Sequence, residues 1–391
     1  MNYNTVKLGE YLYIKGRIGW KGLKKSEYME ISPYRIINGE SLSDNGIEWN
    51  KAGYISQNRY EESPEIMLKP NDILISKDGT IGKIGFINKL DMPTTVASGI
   101  FVVRNLKPEV INTRFIYHYL KSPFFKNFII MRTEGSVIPH LYQKDFVDLD
   151  FPLPDLLTQD KIVELLDSLE KKIEINWNIN QNLQVQAQAL YEKICADCLS
   201  TELTSLSELM DYAGGSQPPA SEFIFEEREG YIRFVQIRDY DTDNHLTYIP
   251  DSPRNKLCEE HDIMIARYGA SLGRICSGIN GAYNVALAKV FPKQPYYREF
   301  LRCYLSSRIF YEGINNKGGR SAQAGFNQSD IKSFELHIPE TVVLRQFEEI
   351  ASSLFEQRLT LKRENRILSE LRDSLIPKLM SGELDITKIE M

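Results

Sequence analysis

Residues 115–129 read FIYHYLKSPFFKNFI, and residues 300–314 read FLRCYLSSRIFYEGI. A constant shift of 185 aligns the two stretches and pairs, for example, Phe115 with Phe300. In both, aromatic and aliphatic residues recur at steps of three and four, which is the spacing of one helix face. The match therefore predicts the same helical element twice, over 113–130 and 298–315.

The repeat extends beyond these helices. LKPNDILISKDGTIGKIG (68–85) corresponds to LCEEHDIMIARYGASLGRIC (257–276), and each stretch has a short apolar run before a glycine-bearing loop. Such runs are typical of strands. A period near 185 is far longer than the ~20–50 residues of solenoid units, so it indicates two domains of one fold. The strands that we expect are 71–76, 99–104, 261–266 and 286–292.

Composition is that of ordinary globular domains and excludes several classes of protein. Hydrophobic residues make up 42% of the 391 residues, and no apolar run approaches the ~18 residues of a membrane span. The N-terminus does not resemble a signal peptide, and the five cysteines are scattered, which favours a reduced, cytoplasmic protein. The net charge of −6 excludes a chain that coats DNA indiscriminately and leaves binding through local basic clusters.

Each globular half is followed by a long heptad pattern. Apolar residues at alternating steps of four and three begin near Thr158 and again near Phe347. Two matching stripes in one chain predict an intramolecular antiparallel coiled coil. At 1.5 Å per residue, ~38 residues span roughly 57 Å. The expected seam residues are Leu166, Leu169, Ile173, Leu183, Leu190, Leu354, Leu361, Leu368 and Leu371.

Polar residues interrupt this stripe at Asn176, Asn180, Gln357 and Glu364. Buried polar groups in a seam lower stability but fix register. The alternative is that these side chains face solvent or another protein. The sequence leaves both explanations open.

No catalytic motif is apparent in the sequence. The glycine loop at 79–85 is neither a P-loop nor a dinucleotide fingerprint, and the five histidines have no metal-ligand spacing. Asp167 and Glu170-Lys171-Lys172 look superficially like a nuclease string, but on a heptad helix we expect them to be solvated flanks of the seam. We therefore expect no catalytic residues, no bound metal and no cofactor on this chain.

Two kinds of segment are candidates for contact with DNA. The first is the strand end with its glycine loop, where a pair of basic residues can meet phosphate oxygens. The second is the polar loop after the helix, EGSVIPHLYQKD (134–145) or KGGRSAQAGFNQSD (317–330), whose side chains can pair with base edges. A β-turn with exposed charges and simple loop drift are the structural alternatives. The candidates are Lys77, Lys83, His140, Tyr142, Gln143, Arg267, Arg274, Arg320, Gln323, Asn327 and Gln328.

The order of domain, helix, domain and helix resembles the specificity subunits of type I restriction–modification systems across essentially the whole chain. Supporting stretches are NQNLQVQAQALYEKI (180–194), LRDSLIPKLMSGEL (371–384), and a proline followed by glutamine at the start of each long helix, Pro154/Gln159 and Pro339/Gln346. The resemblance implies an α+β fold with two target-recognition domains and two spacer helices. The expected limits are 1–157 for the first domain, 158–200 for its helix, 201–343 for the second domain, 344–380 for its helix and 381–391 for a tail.

The resemblance also implies a function and partners. Each domain would bind one half of a split, asymmetric DNA site, and the helices would set the spacer and dock two methyltransferase subunits. Restriction subunits would join that core, and AdoMet, ATP and Mg²⁺ would belong to the partners. A freestanding DNA-binding regulator is the alternative function, and it should bind its site tightly without a methyltransferase.

Overall fold

The computed structural model describes residues 3–43, 46–133, 140–198, 202–241, 243, 245–316 and 325–388. The chain divides into two compact units, each of which draws on both long helices. Unit 1 comprises 1–174 and 366–391, and unit 2 comprises 175–365.

Before the first long helix the chain forms short strands and three helices. The strands are β1 (Asn4–Lys7), β2 (Leu12–Gly16), β3 (Arg35–Ile37), β4 (Leu42–Ser43), β5 (Gly46–Ile47), β6 (Gly53–Tyr54), β7 (Ile73–Ser76), β8 (Ile84–Phe86), β9 (Thr94–Val96), β10 (Ile100–Asn105) and β11 (Asp150–Leu153). The helices are α1 (Gln57–Glu61), α2 (Thr113–Lys121) and α3 (Pro123–Thr133), and the long helix α4 (Leu156–Ala196) follows.

The second half has the same plan. Its strands are β12 (Leu203–Ser205), β13 (Met210–Gly214), β14 (Tyr231–Val235), β15 (Tyr248–Pro250), β16 (Leu257–Cys258), β17 (Met264–Ala266), β18 (Ile275–Cys276), β19 (Gly281–Tyr283), β20 (Leu287–Pro292) and β21 (Glu335–His337). Its helices are α5 (Leu206–Leu209), α6 (Arg298–Leu305), α7 (Arg308–Asn315), α8 (Gln328–Lys332) and the long α9 (Thr341–Ser381).

The sheets confirm that the two halves share one fold. Unit 1 has an antiparallel sheet of order β2-β10-β7-β8, and unit 2 has β13-β20-β17-β18 in the same order. Each unit has a second sheet built around one parallel pair, β3 with β9 or β14 with β19. The four predicted strands correspond to β7, β10, β17 and β20. The predicted α+β class is therefore correct.

Each predicted 18-residue helix is in fact two helices that meet at a serine. Ser122 precedes α3, and its hydroxyl lies 3.5 Å from the Phe125 amide nitrogen. Ser307, at the matching position, caps α7 by accepting from the Phe310 amide at 3.4 Å. Serine satisfies the unpaired amides at a helix start, so the break recurs in both copies. The prediction missed it because the apolar periodicity continues across the break.

Both pairs of helices pack on their main sheet and on the long helices. In unit 1, Phe115 and Phe125 are fully buried in one cluster with Ile162 of α4 and Ile376 of α9. In unit 2 the corresponding cluster joins Phe300 and Phe310 to both long helices. The long helices are therefore part of each core, which is why unit 1 includes the end of α9 and is not continuous in sequence.

Helix α4 begins at Leu156 rather than at the predicted Thr158. Asp155 provides the cap, since its carboxylate accepts from the Thr158 amide at 3.1 Å and from the Thr158 hydroxyl at 2.7 Å. These hydrogen bonds lower the pKa of Asp155. A carboxylate at this end is also favoured by the helix dipole.

The two junction glutamines do not occupy matching places. Gln159 is fully buried and clamps the junction, donating to the Pro154 and Val110 carbonyls at 2.8 and 3.1 Å. Gln346 is exposed, and the position that matches Gln159 is the buried Leu344.

The C-terminal helix ends one residue after its expected limit of 380. Helix α9 runs through Pro377 to Ser381, and Gly382 follows with φ of +76°, the left-handed conformation that suits a helix C-terminus. In the predicted tail, Ile386 is fully buried in the core of unit 1.

Unit 2 shows that the long helices are antiparallel. Asn176 donates to Glu364 at 2.8 Å, and Asn180 donates to the Arg358 carbonyl at 2.8 Å. The residue number on α9 falls from 364 to 358 as the residue number on α4 rises from 176 to 180, as antiparallel helices require. Of the four polar seam positions only Gln357 is exposed.

The predicted seam residues of α4 lie on its packed face. Leu166 and Leu183 are buried, and Leu169, Ile173 and Leu190 are half-buried.

On α9 the predicted face is displaced by about one residue. Leu354, Leu361 and Leu368 are only half-buried, and Leu371 is 44% exposed. The buried residues of α9 there are Ala351, Phe355, Leu359 and Ile376. The first three recur at steps of four, whereas the predicted leucines follow a heptad.

Candidate nucleic-acid interface

In unit 1 the two predicted DNA-contacting segments meet. Lys77 leaves β7 with its amide bonded to the Gly99 carbonyl at 2.9 Å, and the Leu141 amide donates to the Lys77 carbonyl at 3.2 Å. The fully buried Leu141 anchors this contact. His140 and Tyr142 are thereby held beside the strand end.

The side chains at this meeting point form an exposed polar and aromatic group. The His140 ring is hydrogen-bonded to the Asp78 carboxylate and lies edge-on to Tyr142, with ring centres 4.5 Å apart. Tyr142 is 54% exposed, and the Lys144 amine lies 5.4 Å from its ring centre. An exposed aromatic face next to cations is suited to contact with a nucleic acid.

The other two candidates of unit 1, Gln143 and Lys83, are not part of this group. Gln143 is exposed and begins the short turn that the Asp145 carboxylate caps by accepting from the Tyr142 amide at 2.7 Å. The Lys83 side chain is near Glu48, whose pKa is lowered chiefly by Lys51 and to a smaller degree by Lys83. Lys83 therefore has an acidic neighbour, unlike the free cation that the sequence suggested.

In unit 2 an arginine takes the place of Lys77. The Arg267 guanidinium lies 5.2 Å from the Tyr268 ring centre and 5.9 Å from that of Phe326. Within the described part of the chain, its buried Nε has no hydrogen-bond partner. The guanidinium therefore lies close to two aromatic rings, and within the described residues its terminal nitrogens make no hydrogen bond.

Two glycines make this arrangement possible. A Cβ at Gly214 would lie 2.5 Å from an Arg267 terminal nitrogen. A Cβ at Gly325 would lie 2.6 Å from the Tyr268 ring and 2.7 Å from the Arg267 carbonyl oxygen. Real Cβ contacts are essentially never this short, so only glycine allows the loop to approach the strand end this closely.

Arg274, a candidate phosphate contact, is paired with a carboxylate in the structure. It donates two hydrogen bonds to Asp241, at 2.8 and 2.6 Å, and this pairing raises the pKa of Arg274 and lowers that of Asp241. The bidentate pair joins the glycine loop to the region of the second sheet.

Asn327 has a structural role that the sequence did not reveal. Its side-chain oxygen accepts from the Ser329 and Asp330 amides at 2.8 and 3.2 Å, so it caps α8. A bidentate contact to adenine needs this oxygen. Gln328 begins α8. Arg320 and Gln323 lie outside the described residues.

Asp78, Lys144 and Tyr268 also contact these candidates and were not predicted from the sequence. Asp78 and Tyr268 each follow a predicted strand-end cation directly, so their position in sequence was a usable signal.

The Asp167 and Glu170 carboxylates are not solvated flanks. In unit 1, Asp167 accepts from Arg114 at 3.0 Å and from His118 at 2.6 Å, and Glu170 pairs with Lys121. Burial acts to raise the pKa of both carboxyl groups, but these hydrogen bonds and charges outweigh it and leave the pKa lowered.

His118, Asp167 and Glu170 are also close enough to one another to hold a cation. The surrounding Arg114 and Lys121 already neutralise both carboxylates, which disfavours a metal ion at this place. The group instead joins α2 to α4.

No helix in the described ranges is long and apolar enough to cross a membrane.

Comparison with known proteins shows similarity to one family, over just under half of the chain by its family model. Residues 2–185 match the family model described as the type I restriction modification DNA specificity domain. The MjaIX type I specificity subunit of Methanocaldococcus jannaschii is 23% identical over 376 residues, which cover 86% of this chain and 85% of the relative. The EcoKI specificity subunit of Escherichia coli K12 is 22% identical over 415 residues, covering 94% of this chain and 86% of the relative.

A solved structure shares the fold. The S subunit of the type I restriction–modification system from M. genitalium aligns with a TM-score of 0.57 at 16% identity, covering 97% of this chain and 96% of that one. The repeated fold and the two long helices thus have a structural counterpart. In sequence, this chain is similar to type I restriction–modification specificity subunits.

Proposed function

We propose that this chain is a non-catalytic DNA-reading subunit whose two units each recognise one half of a bipartite, asymmetric site. The observation that carries the proposal is that one framework presents unlike side chains in its two copies. Beside the end of β7 stand Lys77, His140 and Tyr142, and at the end of β17 stands Arg267 between aromatic rings. Unlike contact residues on one framework are what two different half-sites require.

The proposed roles follow from the chemistry of each group. The Arg267 guanidinium is the group best suited to guanine, because its fork matches the O6 and N7 acceptors. Tyr142 offers an exposed ring and hydroxyl, and Lys77 a cation for the backbone. The sequence-only candidates Arg320, Gln323 and Gln328 remain part of this proposal.

The long helices are proposed to set the spacer between the half-sites. Each has 41 residues, which is roughly 61 Å at 1.5 Å per residue. Successive major-groove faces lie about 34 Å apart, so helices of this length are sufficient. The Asn176–Glu364 and Asn180–Arg358 hydrogen bonds favour a single register, as a spacer requires.

The helices are also proposed to dock two methyltransferase subunits, which restriction subunits would join. Exposed apolar side chains on α4 suit such contacts, among them Ile175, Trp177, Ile179 and Val185, of which Trp177 is 54% exposed. AdoMet, ATP and Mg²⁺ are proposed to bind these partners, because the resemblance to the family assigns the chemistry to them.

Inserting one heptad into each helix tests the spacer role. The insertions belong between Glu174 and Ile175 and between Asn365 and Arg366. These two points lie next to Asn176 and Glu364, which are hydrogen-bonded across the antiparallel helices. Seven residues add about 10.5 Å, or roughly three base pairs at 3.4 Å.

Mapping methylated adenines in a host that carries the partner subunits should show unchanged half-sites with a spacer about three base pairs longer. Insertion into one helix only is the control, and it should abolish methylation by breaking the register. New half-site sequences at the old spacing would show that the helices do not set the distance. Tight, specific binding without any co-purifying methyltransferase would instead favour the regulator.

A further inference from the structure

Unit 2 contains a cavity of about 180 Å³ bounded by α6 and by parts of both long helices. It is distinct from the loop and strand end that we propose to meet DNA. Its charged lining consists of four cations and one carboxylate: Arg274, Arg302, Arg358, Lys362 and Glu299. A wall with such an excess of positive charge needs a physical explanation.

Two of the four cations are satisfied within the protein. Arg302 donates to Glu299 at 2.8 and 3.2 Å and to the His261 carbonyl at 2.7 Å, and it lies 3.7 Å above the Phe355 ring. Arg274 is paired with Asp241 as described above. These arginines build the wall and do not account for the remaining charge.

Arg358 and Lys362 lack a carboxylate partner among the described residues. Arg358 donates only to amide oxygens, those of Asn180 at 3.2 Å and Gln184 at 2.7 Å. Lys362 lies one helical turn later, with its amine 3.5 Å from where a Cβ on Gly278 would be.

Arg358 is half-buried, and burial together with the neighbouring Arg302 lowers the pKa of its guanidinium, an effect that Glu299 partly opposes. Lys362 lines the same cavity but is exposed to solvent. An anion in the cavity would offset the charge of the half-buried guanidinium.

The matching place in unit 1 is an internal control. There Asp167 and Glu170 of the long helix neutralise the cations of α2. The shift of 185 converts these two carboxylates into Ser352 and Phe355. The cations of α2 change as well, since Arg114 and Lys121 correspond to Glu299 and Ser306.

The same shift shows where the second copy acquired positive charge. Arg358 and Lys362 stand where the first copy has Ile173 and Trp177. One copy is therefore balanced by its own side chains, and the other is cationic around an open cavity.

We propose that this cavity binds a phosphate-class oxyanion, held by the Arg358 guanidinium and the Lys362 amine. A guanidinium fork and an ammonium are the usual protein ligands of phosphate. The volume is several times the ~30 Å³ share of one liquid water molecule, so a phosphate group fits. The source is either free inorganic phosphate or the phosphate of a mononucleotide.

Isothermal titration calorimetry of the full-length chain tests the site, with inorganic phosphate and AMP titrated separately at constant ionic strength. Two charge-assisted contacts should give a dissociation constant of about 1 mM or tighter. Lys362→Gln and Arg358→Gln should each weaken binding by about tenfold or more. Arg366→Gln, on the same helix and paired with the exposed Glu370, is the matched control and should bind as the wild type does.

Equal affinities for phosphate and AMP would identify free phosphate as the ligand, and tighter AMP binding would identify a mononucleotide. Absence of saturable binding, or equal loss in the Arg366→Gln control, would overturn the proposal. So would displacement of phosphate by duplex DNA, because the cavity would then be part of the DNA-binding surface. Since Lys362→Gln should leave half-site recognition unchanged, failure of this proposal and failure of the DNA-reading function are distinguishable.

Discussion

Gly325→Ala should disable one half of the recognition site and leave the other intact. The new Cβ would lie 2.6 Å from the Tyr268 ring and 2.7 Å from the Arg267 carbonyl oxygen. A ring can rotate away, but the carbonyl belongs to the backbone at the end of β17. The loop must therefore move away from the strand end, and Phe326 and Arg267 must separate.

The expected loss of DNA affinity follows from the steric overlap of the added methyl group. Forcing an extra methyl group into a close-packed place typically costs about 1–3 kcal/mol. If the DNA-bound state requires the close arrangement, affinity for the second half-site should fall roughly 5- to 150-fold, at 1.4 kcal/mol per factor of ten. The first half-site should be unaffected, because Lys77, His140 and Tyr142 belong to unit 1.

Fluorescence anisotropy can measure binding of the methyltransferase complex to duplexes in which one half-site at a time is scrambled. The Gly325→Ala complex should no longer distinguish a scrambled second half-site from the correct one. Gly39→Ala is the control, because its Cβ would meet no atom within 4 Å. If the Gly325→Ala complex discriminated between the duplexes as the wild type does, the loop would not need to pack against the end of β17 in order to read DNA.

Two further predictions concern stability. Ser307→Ala should lower the free energy of unfolding of unit 2 by about 1 kcal/mol, because the Phe310 amide loses its cap; an unchanged urea midpoint would show that the serine is not needed at this break. Burial lowers the pKa of His118 in the folded state despite its bond to Asp167, so stability should fall as pH drops through the unfolded value of about 6.5. His118→Asn should flatten that decline in urea midpoint between pH 8 and 5.5, whereas the contribution of Asp167, whose pKa is lowered, is lost only at more acidic pH. An identical pH slope in wild type and variant would contradict the assignment to His118.

The sequence was sufficient to predict the framework. Strands β7 and β17 are buried along their whole length, so nearly every position must be apolar. Such continuous apolar runs are visible in the sequence. Helix ends were harder, because Ser122 and Ser307 interrupt helices whose apolar faces continue past the break. Local capping by one hydroxyl decides the break, and periodicity does not report it.

The candidate residues of the site could be chosen from the sequence, but the contacts between them could not be predicted. Lys77 and His140 were chosen from separate segments, and the structure brings these segments together through Leu141. The pairing of Arg274 could not be predicted, because its partner Asp241 is 33 positions away in sequence and that contact exists only after folding. Spacing along a chain identifies groups able to meet a ligand but does not reveal which are already paired.

The displacement of the α9 seam has a related origin. Leucines at 354, 361 and 368 follow a heptad, but the buried face passes through Ala351, Phe355 and Leu359. A helix that packs on both a globular core and a partner helix buries a broader and differently placed stripe than a coiled coil does. The polar contacts of Asn176 and Asn180 were nevertheless readable, because buried amides require partners.

The offset between the two copies indicates where the repeated framework of this chain tolerates changes in length. It is 190 between Lys77 and Arg267 but 185 between α2 and α6, between Leu141 and Phe326, and between the first residues of α4 and α9. Length changes are therefore confined to the segment before α2 and α6, where loops between short strands can absorb them. From the helices onward an insertion would rotate one packed face against another, so length is held fixed. The whole segments from α2 to Leu141 and from α6 to Phe326 thus differ in composition at equal length. If the loops in these segments read bases, new specificities arise by substitution within a segment of constant length, and the spacer changes only when both long helices change together.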